Sequence, residues 1–269
     1  MTERVDLYDR GYAHFTDAVM AAIRKETFDT DIGQNSWITA EEFDSLLAHL
    51  AIAPDHHVLE VASGSGGPAL HLSRSLNCRV TGIDANPAAV RTASEAAARS
   101  DRSSHISFRV ADANAPLPFD ANAFDALVCI DSFNHLPDRA AVLREWSRVL
   151  RPGRRALFTD PVVITGPVTS EELALRASVG TFLFVPPGVN ESLVGRAGLR
   201  LISTQDVSEN AAQIAARWHR ARASHKQELH EIEGAERFDG LQRFFEAVET
   251  LTSQRRLSRI AYLVEKPGA

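Results

Sequence analysis

The sequence predicts an α/β fold: a doubly wound, mostly parallel seven-stranded sheet carrying a helical cap. Three observations carry this. From residue 57 onward, short apolar segments alternate with segments of helical period. The first, His57-Val-Leu-Glu-Val61, runs into a glycine turn, Gly64-Ser-Gly-Gly67, and then into a helix that Pro68 can open. Successive apolar segments also end in acids, Asp84, Asp112, Asp131 and Asp160, at what becomes one edge of the sheet. Ligands of such sheets bind beyond the carboxyl ends of the strands.

Taken in order, Tyr8, Tyr12, Phe15, Val19 and Ile23 form one stripe and predict an amphipathic helix over 3–26, which either packs on the main domain or acts as a lid. The polar loop 31–39 contains Gln34 and Trp37. It is a surface turn, or a source of hydrogen bonds for a zwitterion and an aromatic wall for a cation. Thr39 and Glu42 form a capping box that starts a helix over about 40–51. The glycine turn leads into a helix at 67–76, and a second strand, 78–84, ends at Asp84. Asn86-Pro87 caps and opens a helix at 87–99, leaving Asp84 free to accept ribose hydroxyls. A third strand reaches Asp112 and a fourth runs over 124–131, with Asn134 and His135 in its exit loop. A helix at 138–150 and a fifth strand at 155–160 follow.

Residues 162–187 form an insertion with a helix capped by Thr169 and Glu172 and an apolar patch, Phe182-Leu-Phe-Val. A helix at 189–197 and a sixth strand at 199–207 precede a second insertion. There Ile214, Trp218, Ala221, His225 and Leu229 mark one helix, and Leu241, Phe244, Phe245, Val248 and Leu251 another. A strand at 256–265 completes the sheet. The expected organisation is a lid at 1–52, a cofactor-binding core at 53–161, a cap insertion at 162–188, core again at 189–207, a helical cap insertion at 208–254 and a last core strand at 255–269. The cap surfaces could alternatively form a homodimer interface.

The chain has 269 residues and a net charge of −6, with no Lys/Arg-rich run, which argues against a nucleic-acid partner. No apolar stretch approaches the ~20 residues of a membrane span, and no signal peptide is evident. The two cysteines, Cys78 and Cys129, fall in buried strands, and the ten histidines lack metal-ligand spacing. No metal is expected, and the location expected is cytoplasmic.

Two readings compete at the glycine turn. Gly64-x-Gly66-x-x-Ala69 fits a dinucleotide fingerprint and would suit a nicotinamide-dependent oxidoreductase. Glu60, inside the preceding strand, would repel a pyrophosphate and suits an ammonium instead. Glu60-x-Ala62-x-Gly64-x-Gly66, the Asp112-Ala113 pair, and the phrase Phe124-Asp-Ala-Leu-Val-Cys, His135-Leu and Val149-Leu-Arg-Pro-Gly together resemble class I S-adenosylmethionine-dependent methyltransferases. The resemblance spans roughly 55–161 and is to the small-molecule type, including glycine/sarcosine and natural-product enzymes.

It implies S-adenosylmethionine as cofactor, held by Glu60, Ala62, Ser63, Gly64 and Gly66, by Asp84 with Ala85 at the ribose, and by Asp112 with Ala113 at the adenine. Ile130, Asp131, Gln34 and Trp37 complete the expected cofactor set. Ala62 stands where the family has glycine and requires an extended backbone there, because a Cβ disfavours positive φ. Asn134, His135, Phe184 and Trp218 are the expected acceptor contacts. His135 and Asp160 are the candidates for chemistry: His135 as a base or a structural histidine, Asp160 as an anchor for the acceptor or a cap before Pro161. The implied reaction is methyl transfer to N, O or C of a small molecule in a capped pocket. Use of the sulfonium without methyl transfer is the alternative within the same fold.

Overall fold

A computed structural model describes residues 11, 12 and 14–268. Tyr8 of the predicted N-terminal stripe lies outside them. Seven strands form one sheet in the order β3-β2-β1-β4-β5-β7-β6. They are β1 (His57–Val61), β2 (Arg79–Asp84), β3 (Ile106–Val110), β4 (Phe124–Cys129), β5 (Leu150–Ile164), β6 (Arg200–Asp206) and β7 (Leu257–Glu265). The first five run parallel, and β7 inserts antiparallel between β5 and β6. The chain order reverses between β1 and β4, so a crevice opens at their carboxyl ends.

Strand side chains alternate between two cores, as a period of two requires. Leu59, Leu127, Phe158 and Tyr262 face one cluster; Val58, Val128, Leu157 and Leu263 face the other. Helices α1 (Ala18–Thr27), α2 (Ala40–Leu47), α3 (Gly67–Leu76), α4 (Pro87–Ala98), α5 (Arg139–Val149), α6 (Ser170–Arg176) and α7 (Val189–Arg196) surround the sheet or its rim. Trp146 of α5 is fully buried among Phe133 and Phe158, and its loss would cost about 3–5 kcal/mol.

A third cluster stands apart from the sheet. Val19 and Ile23 of α1, Trp37, and Val179 pack with α8 (Ser208–Ser224), α9 (Lys226–Glu233) and α10 (Ala235–Ser253) through Trp218, Phe244 and Phe245. Segments far apart in the chain thus share one apolar core beside the crevice.

Several local expectations need correcting. The stripe predicted as a helix from residue 3 is interrupted by a turn at 14–16, and α1 starts at Ala18 after an extended Asp17, whose carboxylate takes the His14 ring at 2.8 Å. The helix expected through His225 is two helices that meet there, where the His225 ring reaches Glu26 at 2.8 Å. Thr39 does cap α2, accepting from Glu42 N at 3.1 Å, but the Glu42 carboxylate does not close the box and pairs instead with Arg259. The capping box at Thr169 and Glu172 is complete.

Candidate active site

The crevice is a cleft of about 530 Å³, within the ~300–1,000 Å³ range of small-molecule sites. Its walls come from consecutive strand ends: Ala62 after β1, Asp84 and Ala85 after β2, Asp112 and Ala113 after β3, and Ser132 and His135 after β4. The segment Val179-Gly180-Thr181 and Tyr12 close the outer side.

The glycine turn joins β1 to α3; of the expected contacts around it only Ala62 lines the cleft, while Glu60, Ser63, Gly64 and Gly66 do not. Gly66 sits at φ 79° as the residue before α3, and a Cβ there would meet Ala93 and Phe108 at 2.7 Å. Gly67 serves a separate purpose. A Cβ at that position would fall 2.2 Å from the Ile32 carbonyl, so only glycine lets the 31–34 loop cross this helix start. Ala62 does not adopt the extended backbone expected of it. Its φ is 57°, in the left-handed region, and it bears the strain that the family's glycine avoids. Asp84 accepts Gly64 N at 2.9 Å and Asn86 N at 2.8 Å, which fixes its carboxylate at the rim. Burial raises its pKa above the usual carboxylate range, against the pull of those two amides. Asp112 is held by an Asx turn, accepting from Asn114 N at 2.9 Å through one oxygen only.

Glu60 lies beneath the turn, 3% exposed. Its Oε2 and the Ser63 hydroxyl are buried without a hydrogen-bond partner. Desolvation, followed by repulsion from Asp84, pushes its pKa up to about 8. A buried carboxylate with an open oxygen is incomplete without a cation or donor. The ammonium of an adenosylmethionine fits this need; the pyrophosphate of a nicotinamide cofactor would aggravate it.

A second cavity, about 40 Å³, adjoins the third cluster. Trp37, Trp218, Phe244, Phe245, Phe182 and Arg176 line it, together with Asp131 and His135. His135 therefore belongs to the walls of both cavities. Its Nδ1 lies 2.8 Å from the Thr181 carbonyl, and its ring meets Phe182 edge-on at 4.6 Å.

The structure brings Ala62, Asp84, Ala85, Asp112, Ala113 and His135 together in the cleft and places Trp37, Asp131, His135 and Trp218 around the small cavity. Other expected site residues are spent elsewhere. The Gln34 amide is buried in its own loop, accepting Ile32 N at 2.8 Å and donating to Thr30 O at 3.2 Å. The Ile130 side chain packs in the core. Asp131 accepts from Trp37 N, Thr159 Oγ1 and Arg259 Nε at 2.7–2.8 Å, so it ties the Trp37 loop to the sheet. Burial opposes the Arg259 charge, but Asp131 and Glu42 overcome it and hold the guanidinium above its ordinary range. Phe184 stacks on Phe182 and lines neither cavity. Asn134 is fully buried with both side-chain polar atoms unpartnered.

Asp160 is also corrected. It is 0% exposed and pairs with Arg139 at 2.8 Å and with Asn190 at 2.9 Å, away from both cavities. An acid so enclosed orients the protein and touches no acceptor.

Residues 59–158 match the methyltransferase-domain family. The chain is 29% identical over 229 residues, 84% of its own length and 78% of the relative's, to the 27-O-demethylrifamycin SV methyltransferase of Amycolatopsis mediterranei (strain S699). It is an S-adenosylmethionine-dependent methyltransferase. Further similarity is to the glycine/sarcosine/dimethylglycine N-methyltransferase of Actinopolyspora halophila, 31% identical over 59% of this chain and 28% of that protein. The solved structure of the cyclopropane synthase MmaA2 from Mycobacterium tuberculosis shares the fold, with a TM-score of 0.80 and 18% identity over 96% of this chain and 97% of that one.

In this methyltransferase the cofactor is S-adenosylmethionine, and the nicotinamide reading falls away with it. Sequence reasoning missed Ser132, Leu136 and the 179–181 segment as cleft walls, and Arg176 as part of the small cavity. Position just past β4 was a usable signal for Ser132. The same signal covers Leu136, next to His135 in that loop; nothing local marks Arg176 or the 179–181 segment, which reach the site only through tertiary packing.

Proposed function

We propose that this methyltransferase methylates a small molecule whose reacting atom lies between the cleft and the small cavity, with His135 as the group that receives its proton. The single observation behind this is that His135 is a shared wall of both cavities. S-adenosylmethionine supplies an electrophilic methyl group when bound. Asp84 and Asp112, on the cleft wall, would take the ribose and adenine, and the unpartnered oxygen of the buried Glu60 would take the ammonium. The acceptor's aromatic surround would be Trp37, Trp218, Phe182 and Phe244. Alignment and exclusion of water are the protein's main contributions, with orientation worth about 7–11 kcal/mol in favourable systems. The segments 11–52, 162–188 and 208–254 serve as a cap over this pocket; their shared apolar cluster within one chain supports a cap rather than a dimer interface. The two free, buried thiols support a reducing compartment, the cytoplasm.

Titration calorimetry with S-adenosylhomocysteine tests the cofactor half. Saturable binding is expected, and Asp84→Ala should weaken it by ~10-fold or more, as loss of a charged hydrogen-bond partner does. No binding by the wild type, or an unchanged Asp84→Ala, overturns it. An acceptor panel with isotopically labelled methyl donor, read by mass spectrometry with His135→Gln as control, tests the transfer itself.

A further inference from the structure

We propose that the cap segment 179–184 fixes His135 in the tautomer with its proton on Nδ1, and that Arg139, anchored by Asp160, is the positioning residue that seats this segment. The inference rests on His135 being the base of the proposed reaction and states how that base is prepared.

The Thr181 carbonyl, 2.8 Å from Nδ1, can only accept a hydrogen bond. Nδ1 must therefore carry the proton, and in the neutral ring Nε2 is the basic nitrogen. Phe182, edge-on to the imidazole at 4.6 Å, holds the ring plane. The segment that supplies both contacts is itself pinned. Leu183 N donates to Asn134 O at 2.9 Å, binding the segment to the loop that carries His135. Arg139 Nη2 donates to Leu183 O at 2.9 Å, while its Nη1 lies 2.8 Å from Asp160 Oδ2 and 2.7 Å from Asn190 Oδ1. Asn190 Nδ2 closes the set by donating to Asp160 Oδ2 at 2.9 Å. Both Arg139 and Asp160 are buried, so the strut is rigid. Val179, Gly180 and Thr181 also line the cofactor cleft, so the segment that sets the tautomer is itself part of the cleft wall.

The test is long-range ¹H–¹⁵N correlation NMR on the full chain with ¹⁵N-labelled histidine, assigned by the signal lost in His135→Gln. At neutral pH, His135 should show a protonated Nδ1 and an unprotonated Nε2, in the presence of S-adenosylhomocysteine. A ring protonated on Nε2, or on both nitrogens, overturns the proposal. Arg139→Gln should lose the single-tautomer signature and give averaged ring shifts. If that variant does not fold, Leu183→Pro, which removes the N–H given to Asn134 and leaves the Arg139–Asp160 pair intact, should do the same. A folded Arg139→Gln that retains the wild-type signature overturns the positioning role. Calorimetry on the same samples keeps the questions apart. Ligand binding with the wrong tautomer sinks this proposal alone. Absent binding sinks the cofactor reading, while the ring shifts still score the hydrogen bond.

Discussion

The two cavities are built in opposite ways. The larger is walled by main chain and small side chains at four neighbouring strand ends, with carboxylates held by adjacent amides. The smaller is walled by aromatic rings from distant segments, and its one acid is consumed by the framework. The cleft keeps polar capacity open for a charged ligand, at a cost to the free protein. The small cavity's acid is already paired with the buried Arg259, so that pair contributes to stability before any ligand arrives. Substitutions on the two sides should therefore separate stability from binding.

The largest effect is expected at the knot beside the small cavity. Arg259→Ala leaves Asp131 and Glu42 buried without their cation and should cost about 3–5 kcal/mol. Urea unfolding measures it directly; a loss below ~1 kcal/mol would break the comparison.

Glu60 should behave in the reverse sense. Its folded pKa, about 8, lies above the ordinary glutamate value of 4.5, so the folded chain holds a proton that the unfolded chain has released across that interval. Its stabilising contribution is complete below about 4.5 and is lost as pH rises through 8. Glu60→Gln should therefore gain stability over wild type progressively between these values, seen in parallel urea titrations. The same variant should bind S-adenosylhomocysteine more weakly. In the wild type, ionising Glu60 opposite an ammonium must release a proton, so affinity should rise with pH to about 8 and then level. Equal pH slopes of affinity in the two proteins would contradict this assignment.

The smallest effect is at Ala62. Left-handed alanine costs about 1–2 kcal/mol, while glycine loses about 0.5–1 kcal/mol through its looser unfolded chain. Ala62→Gly should consequently fall within ~1 kcal/mol of wild type, on the stabilising side, in the same unfolding assay.

These contrasts also explain what could be read from residues alone. The strand, turn and helix at 57–76 are local features and form as expected, and the strand-end acids Asp84 and Asp112 line the cleft. Asp160 looked like another rim acid because its partners, Arg139 and Asn190, sit on helices that periodicity places but does not orient. Glu42 satisfied a capping pattern, yet Arg259, from the other end of the chain, claims it. The left-handed Ala62 was invisible for a different reason: propensity argues against it, and only the surrounding turn can impose it. The helix break at His225 follows likewise from a contact with Glu26 that no local pattern encodes.

The Asp131 carboxylate receives Trp37 from near one terminus and Arg259 from near the other. A chimera that imports a foreign cap to change acceptor preference would thus inherit an unmatched charge unless positions 42, 131 and 259 travel with it. Acceptor choice in this chain is an exchangeable property only when that trio is moved as a unit.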